Sequence, residues 1–506
     1  MAKQNSYKRI TTFLASPTFF WGVLAFFVLE AAWIALSGRY PMAFDEDFHL
    51  GIIRLYAHHL SPFWSSQPPG PDTFGAVFRD PSYLYQWLMS FPYRLISLFT
   101  HDQTIQVLWL RAINIGLFAG GLAVYRRLLL KTGAAKAIVH STLLLFVLIP
   151  VVPLLAAQIN YDNLFLPLIA LVLLLTANFN QDLSRKKQIN AATLVWVLIL
   201  CLLGSLVKYA FLPIFIAITI YLIVRMRQTF GGLKQIVSAK VAALKRLGPR
   251  TGLLLAAGLI ISGGLFIERY GVNLVRYHTP VPDCSQALSI EACSHYGPWI
   301  RDYNLELNKS PNASRSPVTF GADWFYGMWL RMFFAVDGPA TDFQTRGPFA
   351  VPAITAIIFA GAGAVLALIY AKTLFRKYNA AVLNLLLSVA AVYIAVLWLD
   401  GYRAFLRTGV AVAINGRYLF PVLPFLILMG ALAFNELCKR KEGLKLLIGG
   451  VVVVAMLWGG GALTYILRSN PRWYWPVPAV KTANQAVQNT LGPITPGYRR
   501  PTAFMR

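Results

Sequence analysis

Acidic side chains are scarce in this chain, with 20 Asp and Glu against 46 Lys and Arg in 506 residues. Charged residues of both signs make up only 13% of it. A soluble protein of this length carries about 25%, so a water-soluble globular fold is excluded. Glycine and proline are not enriched enough to indicate disorder, and no repeat with a period of about 20–50 residues is present. The chain also lacks a phosphate-cradling Gly-rich loop, a His-x-x-x-His zinc spacing and a Gly-x-Ser-x-Gly nucleophile elbow. Those absences argue against hydrolysis of a nucleotide inside the cell. No small-residue cleavage site follows the first apolar run, so that run reads as a retained anchor.

What is abundant is apolar sequence: 57% of the residues are hydrophobic, and mean hydropathy is +0.57. Apolar runs of helical length predict about eleven transmembrane helices. They fall near 17–38, 104–125, 137–157, 163–180, 190–207, 209–226, 251–269, 351–372, 380–399, 418–437 and 444–467. The net charge of +26 does not indicate nucleic acid, because the bases collect in short segments between spans and no basic soluble domain appears. Segments such as Arg185–Lys187 and Lys439–Lys441 alternate with stretches such as 40–103 that are richer in acids. The positive-inside rule then places the N-terminus in the cytoplasm and the C-terminus outside. The segment 225–250 is the one cytoplasmic loop long enough for a surface helix.

The polar sequence gathers on the outer face. Gly51–His59 has helical periodicity, and Tyr83–Leu98, interrupted by Pro92, reads as an interfacial helix. Asp45-Glu46-Asp47-Phe48-His49 directly follows the first span, and carboxylates beside a membrane are costly to desolvate. Asp45 and His49 share a face if the segment is helical. Such acids either serve a site, as general base or cation ligand, or favour a helix N-terminus electrostatically. Asp80 is either an N-cap before Pro81 or, with Arg79, part of a phosphate site. Asp162 sits in a very short joint, where it caps the fourth span or faces the first outer loop. Lys208 stands alone in the turn between the fifth and sixth spans, snorkelling or meeting a lipid phosphate. Arg403, Arg407 and Arg417 bracket the loop after the ninth span; Arg417, beside Tyr418, is either an interfacial anchor or a phosphate fork. Lys208, Arg407 and Arg417 have no obvious acid neighbour in sequence. Glu30, near mid-span, is a candidate partner for Arg111. On an oxidising face, Cys284 and Cys293 read as a local disulfide, whereas Cys201 and Cys438 read as inert.

The first-loop motif Asp-Glu-x-x-His resembles that of GT-C glycosyltransferases. More narrowly, Asp45–His49, Leu110–Asn114, Asn160-Tyr161-Asp162 and the late Gly416–Pro421 (Gly-Arg-Tyr-x-x-Pro) resemble a group of bacterial polytopic membrane proteins. More distantly the chain resembles protein O-mannosyltransferases and the lipid A aminoarabinose transferase. The resemblance implies an all-α polytopic fold with interfacial helices in the first outer loop. It implies a multi-pass protein of the bacterial cytoplasmic membrane, with its active site on the outer face. The donor is then a polyprenyl-phosphate-linked sugar and the acceptor an extracytoplasmic glycan, lipid or protein. Chemistry is expected at Asp45, as general base, and Glu46. Binding is expected at His49, Arg79, Asp80, Asp162, Lys208, Arg403, Arg417 and Tyr418. No cofactor is required, though a divalent cation is compatible with the acids. The expected parts are an N-terminal module (1–270) with its catalytic loop (40–103), an outer loop (271–350), C-terminal spans (351–467) and an outer tail (468–506). A transporter or lipid flippase is the main alternative, and a non-catalytic assembly partner a third. The concentration of polar residues in loops, with no internal repeats, disfavours the transporter.

Overall fold

The computed structural model describes residues 2–42, 44–68, 72–310, 316–334, 351–412, 414–469 and 474–498. Among these residues there are helices and one isolated β-bridge, but no strands. The chain is an all-α polytopic membrane protein. Part of the expected outer loop 271–350 lies outside the described residues.

Helix α1 (Ala2–Ala15) leads into the first span, α2 (Pro17–Ser37), which starts at a Ser16 cap with Pro17 in its first turn. The loop after the first span contributes α3 (Glu46–Ala57) and α4 (Leu84–Ser97), the two helices that periodicity predicts. Then come α5 (Gln103–Leu130), α6 (Lys136–Val147), the short α7 (Val151–Ala156), α8 (Asp162–Lys186), α9 (Ala191–Val207) and α10 (Leu212–Phe230). The surface helix expected within 225–250 is α11 (Leu233–Lys245). Next, α12 (Pro249–Phe266) passes through a π-helical turn, Ile267–Gly271, into α13 (Val272–Tyr277). The segment that follows holds α14 (Cys284–Ala287), α15 (Ile290–Cys293), α16 (Gly297–Leu307) and α17 (Pro317–Phe334). The remaining helices are α18 (Val351–Lys377), α19 (Ala380–Thr408), α20 (Leu423–Leu437), α21 (Glu442–Gly459), α22 (Gly461–Arg468) and α23 (Pro478–Leu491).

Eight helical segments are long and apolar enough to cross a membrane, and α6, α9 and α20 are shorter apolar helices. Without a hydrophobic drive between helices in lipid, close association relies on small residues and tight packing. Two sites show it. A Cβ at Gly121 of α5 would lie 3.2 Å from Pro167 of α8, and one at Gly430 of α20 would lie 3.1 Å from the Gly363 carbonyl of α18.

The C-terminal end of α2 is an anchorage point for the tail. Trp475 N–H donates to the Ser37 carbonyl (3.1 Å), and Asn484 joins Trp33 Nε1–H to the Ser37 hydroxyl. Cys284 and Cys293 are disulfide-bonded, with Cα atoms 5.8 Å apart. The bond closes a small cluster around Trp299. Cys201 and Cys438 are free and buried.

Candidate active site

The chain turns sharply between α2 and α3. Phe44 and Asp45 both adopt left-handed backbone, each with φ 67°. That region is uncommon for any non-glycine residue, and Phe lacks the local hydrogen bonding that lets Asp tolerate it. Each such residue costs about 1–3 kcal/mol and persists only where its surroundings enforce it. Asn160, in the α7–α8 joint, donates its Nδ2–H to the Phe44 carbonyl (2.8 Å). Asp45 occupies the N-cap position of α3 but makes no capping hydrogen bond, so its carboxylate is committed elsewhere.

The rest of the constraint comes from Glu46, which was expected to act beside Asp45. It is enclosed instead. Arg111 Nε–H and Nη2–H bind its two oxygens at 2.8 and 2.7 Å, and the backbone N–H groups of Met42 and Ile159 add 2.8 and 3.2 Å bonds. Arg111 Nη1–H donates to the Ala35 and Gly38 carbonyls at the end of α2, and the guanidinium lies 5.5 Å from the Trp475 ring. Neither charged side chain is exposed. A buried pair is tolerable only when its remaining hydrogen-bonding capacity is met, and here it is. Arg111 therefore pairs with Glu46, not with Glu30, and the pair ties α2, α3, α5 and the α7–α8 joint together.

Asp45 forms the opposite kind of pair. Arg417 Nη2–H donates to Asp45 Oδ2 at 2.8 Å, with the arginine side chain 6% exposed and the aspartate 56% exposed. Arg417 Nε and Nη1 are buried and have no hydrogen-bond partner among the described residues. Its guanidinium lies 4.8 Å from the Phe44 ring and 5.2 Å from the Tyr418 ring. Asn415 fixes the approach, its side chain accepting from Arg417 N–H (3.1 Å) at the head of the 3-10 turn Gly416–Leu419.

Lys208 is buried at the end of α9 and does not snorkel. Its ammonium donates to Asp162 Oδ1 at 2.5 Å and sits 4.5 Å from the Tyr161 ring and 5.3 Å from the Tyr418 ring. Tyr418 is thus in contact with both cations. Asp162 is the first residue of α8, not its cap, and its second oxygen is buried without a hydrogen-bond partner among the described residues. The His49 ring packs 4.5 Å from Tyr161. The Gln86 amide is best satisfied with its oxygen accepting from His49 Nδ1–H (3.2 Å) and its nitrogen donating to the Ser82 and Tyr83 carbonyls.

Partial desolvation of the half-exposed Asp45 side chain works against its charged form. The Arg417 charge and hydrogen bond, with His49 and Lys208 behind them, outweigh it and hold the carboxyl below its ordinary value. Burial drives His49 down to about 3, so its imidazole is neutral at physiological pH.

The other expected residues have partners of their own. Arg79 is buried and bound to Glu268 of the π-turn at 2.6 Å, joining the first outer loop to α12. Asp80 does not cap α4; its Oδ1 accepts from Ser82 N–H (2.8 Å). Burial, opposed by that bond and by Arg269, pushes the Asp80 carboxyl up. Arg403 is exposed near the C-terminal end of α19. Arg407, expected to lack an acid, has Asp283, Asp302 and Glu306 within 3.6–3.9 Å. Lys208 and Arg417 also have acid partners, so the expectation of unneutralised cations fails for all three. Among the described residues, no three His, Cys, Asp or Glu side chains are grouped to hold a metal ion. The site's contributors that sequence reasoning missed are Phe44, Tyr161 and Asn415. Only Tyr161 carried a signal, inside the Asn160-Tyr161-Asp162 motif.

No protein-family model matches this sequence, and no curated protein matches it. Similar solved structures include the Archaeoglobus fulgidus oligosaccharyltransferase in its apo form (12% identity, TM-score 0.44, 97% of this chain and 62% of that one). A second is the same enzyme tethered by a disulfide to an acceptor peptide containing an NVT sequon (12%, 0.44, 97% and 61%). A third is AglB of that archaeon in complex with an inhibitory peptide and a dolichol-phosphate (12%, 0.44, 96% and 61%). The chain thus spans 61–62% of the length of the structures it matches.

Proposed function

We propose that this protein is a GT-C-type glycosyltransferase that moves a sugar from a polyprenyl-phosphate donor to an acceptor hydroxyl on the outer face of the membrane. The observation that carries the reading is Arg417: a buried guanidinium holding a solvent-exposed carboxylate with one nitrogen while Nε and Nη1 are unclaimed. An arginine edge of that kind suits a phosphodiester. It lies where α20 begins and where α9 ends, so a lipid tail could remain among the spans.

In this reading the acceptor oxygen attacks the anomeric carbon as the bond from that carbon to the phosphate oxygen breaks, with inversion. The acceptor proton passes to Asp45, and the lipid phosphate leaves with the bonding electrons. Asp45, Arg417, Asp162 and Lys208 are charge-balanced before the reaction. Protonation of Asp45 releases the Arg417 charge just as the departing phosphate gains a second negative charge, so the cation needs no reorganisation. Arg417 also positions the base relative to the leaving group. Glu46 and Arg111 act as positioning residues, through the backbone they hold. The acceptor is an extracytoplasmic glycan, lipid or protein.

The test is Arg417→Ala, compared with wild type in detergent or nanodiscs, reading both undecaprenyl-phosphate binding and turnover of polyprenyl-phosphate sugars. Turnover should fall about a hundredfold, on the order of 3 kcal/mol, in protein that still folds. Unchanged lipid-phosphate binding and turnover would remove Arg417 from the site and overturn the lipid-phosphate donor.

A further inference from the structure

We infer that α11 is a docking helix for anionic lipid headgroups on the face of the membrane opposite the acid–arginine cluster. Between Arg225 and Arg250 the chain has seven Lys and Arg and no Asp or Glu. The 13-residue α11 lies within that stretch, too short and too polar to span a bilayer. It starts three residues after α10 ends and finishes four residues before α12 begins. Both neighbours are candidate spans, so their ends hold α11 at the level of the headgroups.

The helix has three distinct faces. Ile236 and Ala243 are buried in the core, where α11 meets α9 and α10. Leu233, Val237, Val241 and Leu244 are exposed by 72, 52, 46 and 52%. At about 100° per residue these four fall within an arc of about 80°. Lys234 and Lys245 border one edge of that stripe, and Lys240 lies at the other. An apolar stripe edged by lysines is the pattern of a helix lying in the interface, its apolar side chains in the acyl boundary and its ammonium groups among the headgroups. A neutral lipid would satisfy the stripe alone. Seven bases without a compensating acid select an anionic surface, where each adds to the attraction within a Debye length. The positive-inside pattern puts this segment against the leaflet that carries such lipids.

The experiment uses the full chain, one copy per nanodisc, with Val237→Cys carrying an environment-sensitive fluorophore. Cys201 and Cys438 are buried and the other two cysteines are bonded, so the label goes to position 237. Discs of phosphatidylcholine are compared with discs holding about 30% phosphatidylglycerol. The anionic discs should shift the emission to the blue and increase quenching by lipid-borne quenchers. Lys234→Gln/Lys240→Gln/Lys245→Gln should lower the docked population at least about fivefold, as should ~0.5 M salt. A melting temperature for the triple variant equal to wild type confirms that its fold is intact; if it falls, the salt arm on the unaltered chain decides. Equal emission in both lipids, or indifference to both charge removal and salt, overturns the proposal. So does a stripe that stays wet in anionic discs, which would assign it to a soluble partner, or shielding that requires two copies per disc.

Discussion

Asp45 and Glu46 are adjacent, and each is paired with an arginine far away in sequence, yet the two pairs are built to opposite specifications. Glu46 and Arg111 are sealed from solvent, and four donors converge on the two carboxylate oxygens. That pair has no capacity left for a ligand. Asp45 and Arg417 meet through a single hydrogen bond whose carboxylate end is exposed and whose guanidinium end is buried, with two guanidinium nitrogens unbonded among the described residues. Side-chain chemistry is the same in both, so what differs is unspent hydrogen-bonding capacity. The closed pair makes the open one usable, because it holds the chain on either side of the left-handed Phe44–Asp45 turn that presents the Asp45 carboxylate.

The sharpest way to break the comparison is to neutralise each acid in turn. Asp45→Asn should lower turnover by about 10²–10⁴, the usual worth of a general base. It should cost less stability than the Glu46 variant, since Asn tolerates left-handed backbone, its amide oxygen can still accept from Arg417, and the carboxylate end of this pair is exposed. Glu46→Gln strands the Arg111 charge in the interior, and breaking a buried pair costs about 3–5 kcal/mol. Thermal unfolding and donor consumption, measured on both variants in the same detergent, separate the roles. If Asp45→Asn unfolds the protein while Glu46→Gln only slows it, the two pairs have been assigned the wrong way round.

A pH profile sharpens the distinction further. Arg417 holds the Asp45 carboxyl below its ordinary value, so in the free protein the base stays ionised until the pH drops below the usual carboxylate range. The acid limb of kcat/KM, which reports the free enzyme, should lie at that depressed position. Once a donor phosphate shares Arg417, the hold on Asp45 weakens, and the acid limb of kcat, which reports the bound complex, should move to higher pH. The same depressed value means Asp45 contributes stability above the ordinary carboxylate pKa and loses it as pH falls through the folded value. Coincident limbs in kcat and kcat/KM would show that Arg417 does not engage the donor.

Much of this molecule was legible in the sequence for plain reasons. Apolar runs report spans because a lipid-facing helix has little else it can be. The first-loop helices α3 and α4 showed as periodicity, and the Cys284–Cys293 bond as spacing in a segment that the charge pattern assigns to an oxidising face. Arg417 stood out because arginine is unusual on that side. What stayed hidden was pairing over distance. Arg111 lies 65 residues from Glu46, and a mid-span Glu30 was the more obvious partner by membrane depth. Arg407 acquires its three acids from a segment whose course depends on a disulfide and short helices. The left-handed turn carries no sequence mark, since Phe is a residue one would not place there, and Asn160, 116 residues on, holds its carbonyl. Long-range hydrogen bonds enforce these features, and local propensity is silent about them.

The smallest expected effect tests whether a third outer acid belongs with Asp45 or apart from it. Asp80 accepts a hydrogen bond from Ser82 N–H and has no arginine clamp; burial is the largest influence on it and raises its carboxyl above the ordinary value of 3.8. A raised folded value means its contribution to stability is complete below the unfolded carboxylate pKa and is lost as pH rises through the folded one. At neutral pH the wild type therefore carries a small penalty for a poorly solvated charge. Asp80→Asn keeps the oxygen that Ser82 uses and removes that charge. We expect a melting temperature at pH 7 equal to or slightly above wild type, corresponding to about 0.5 kcal/mol or less. The difference should close as the pH is lowered and the wild-type carboxyl takes up its proton. Turnover should be unaltered, because the reaction as proposed uses Asp45 and Arg417 and makes no demand on the Asp80 charge. A variant that melts as expected but loses turnover would place Asp80 in the working site, and the contrast between one open pair and one closed pair would then need a third member.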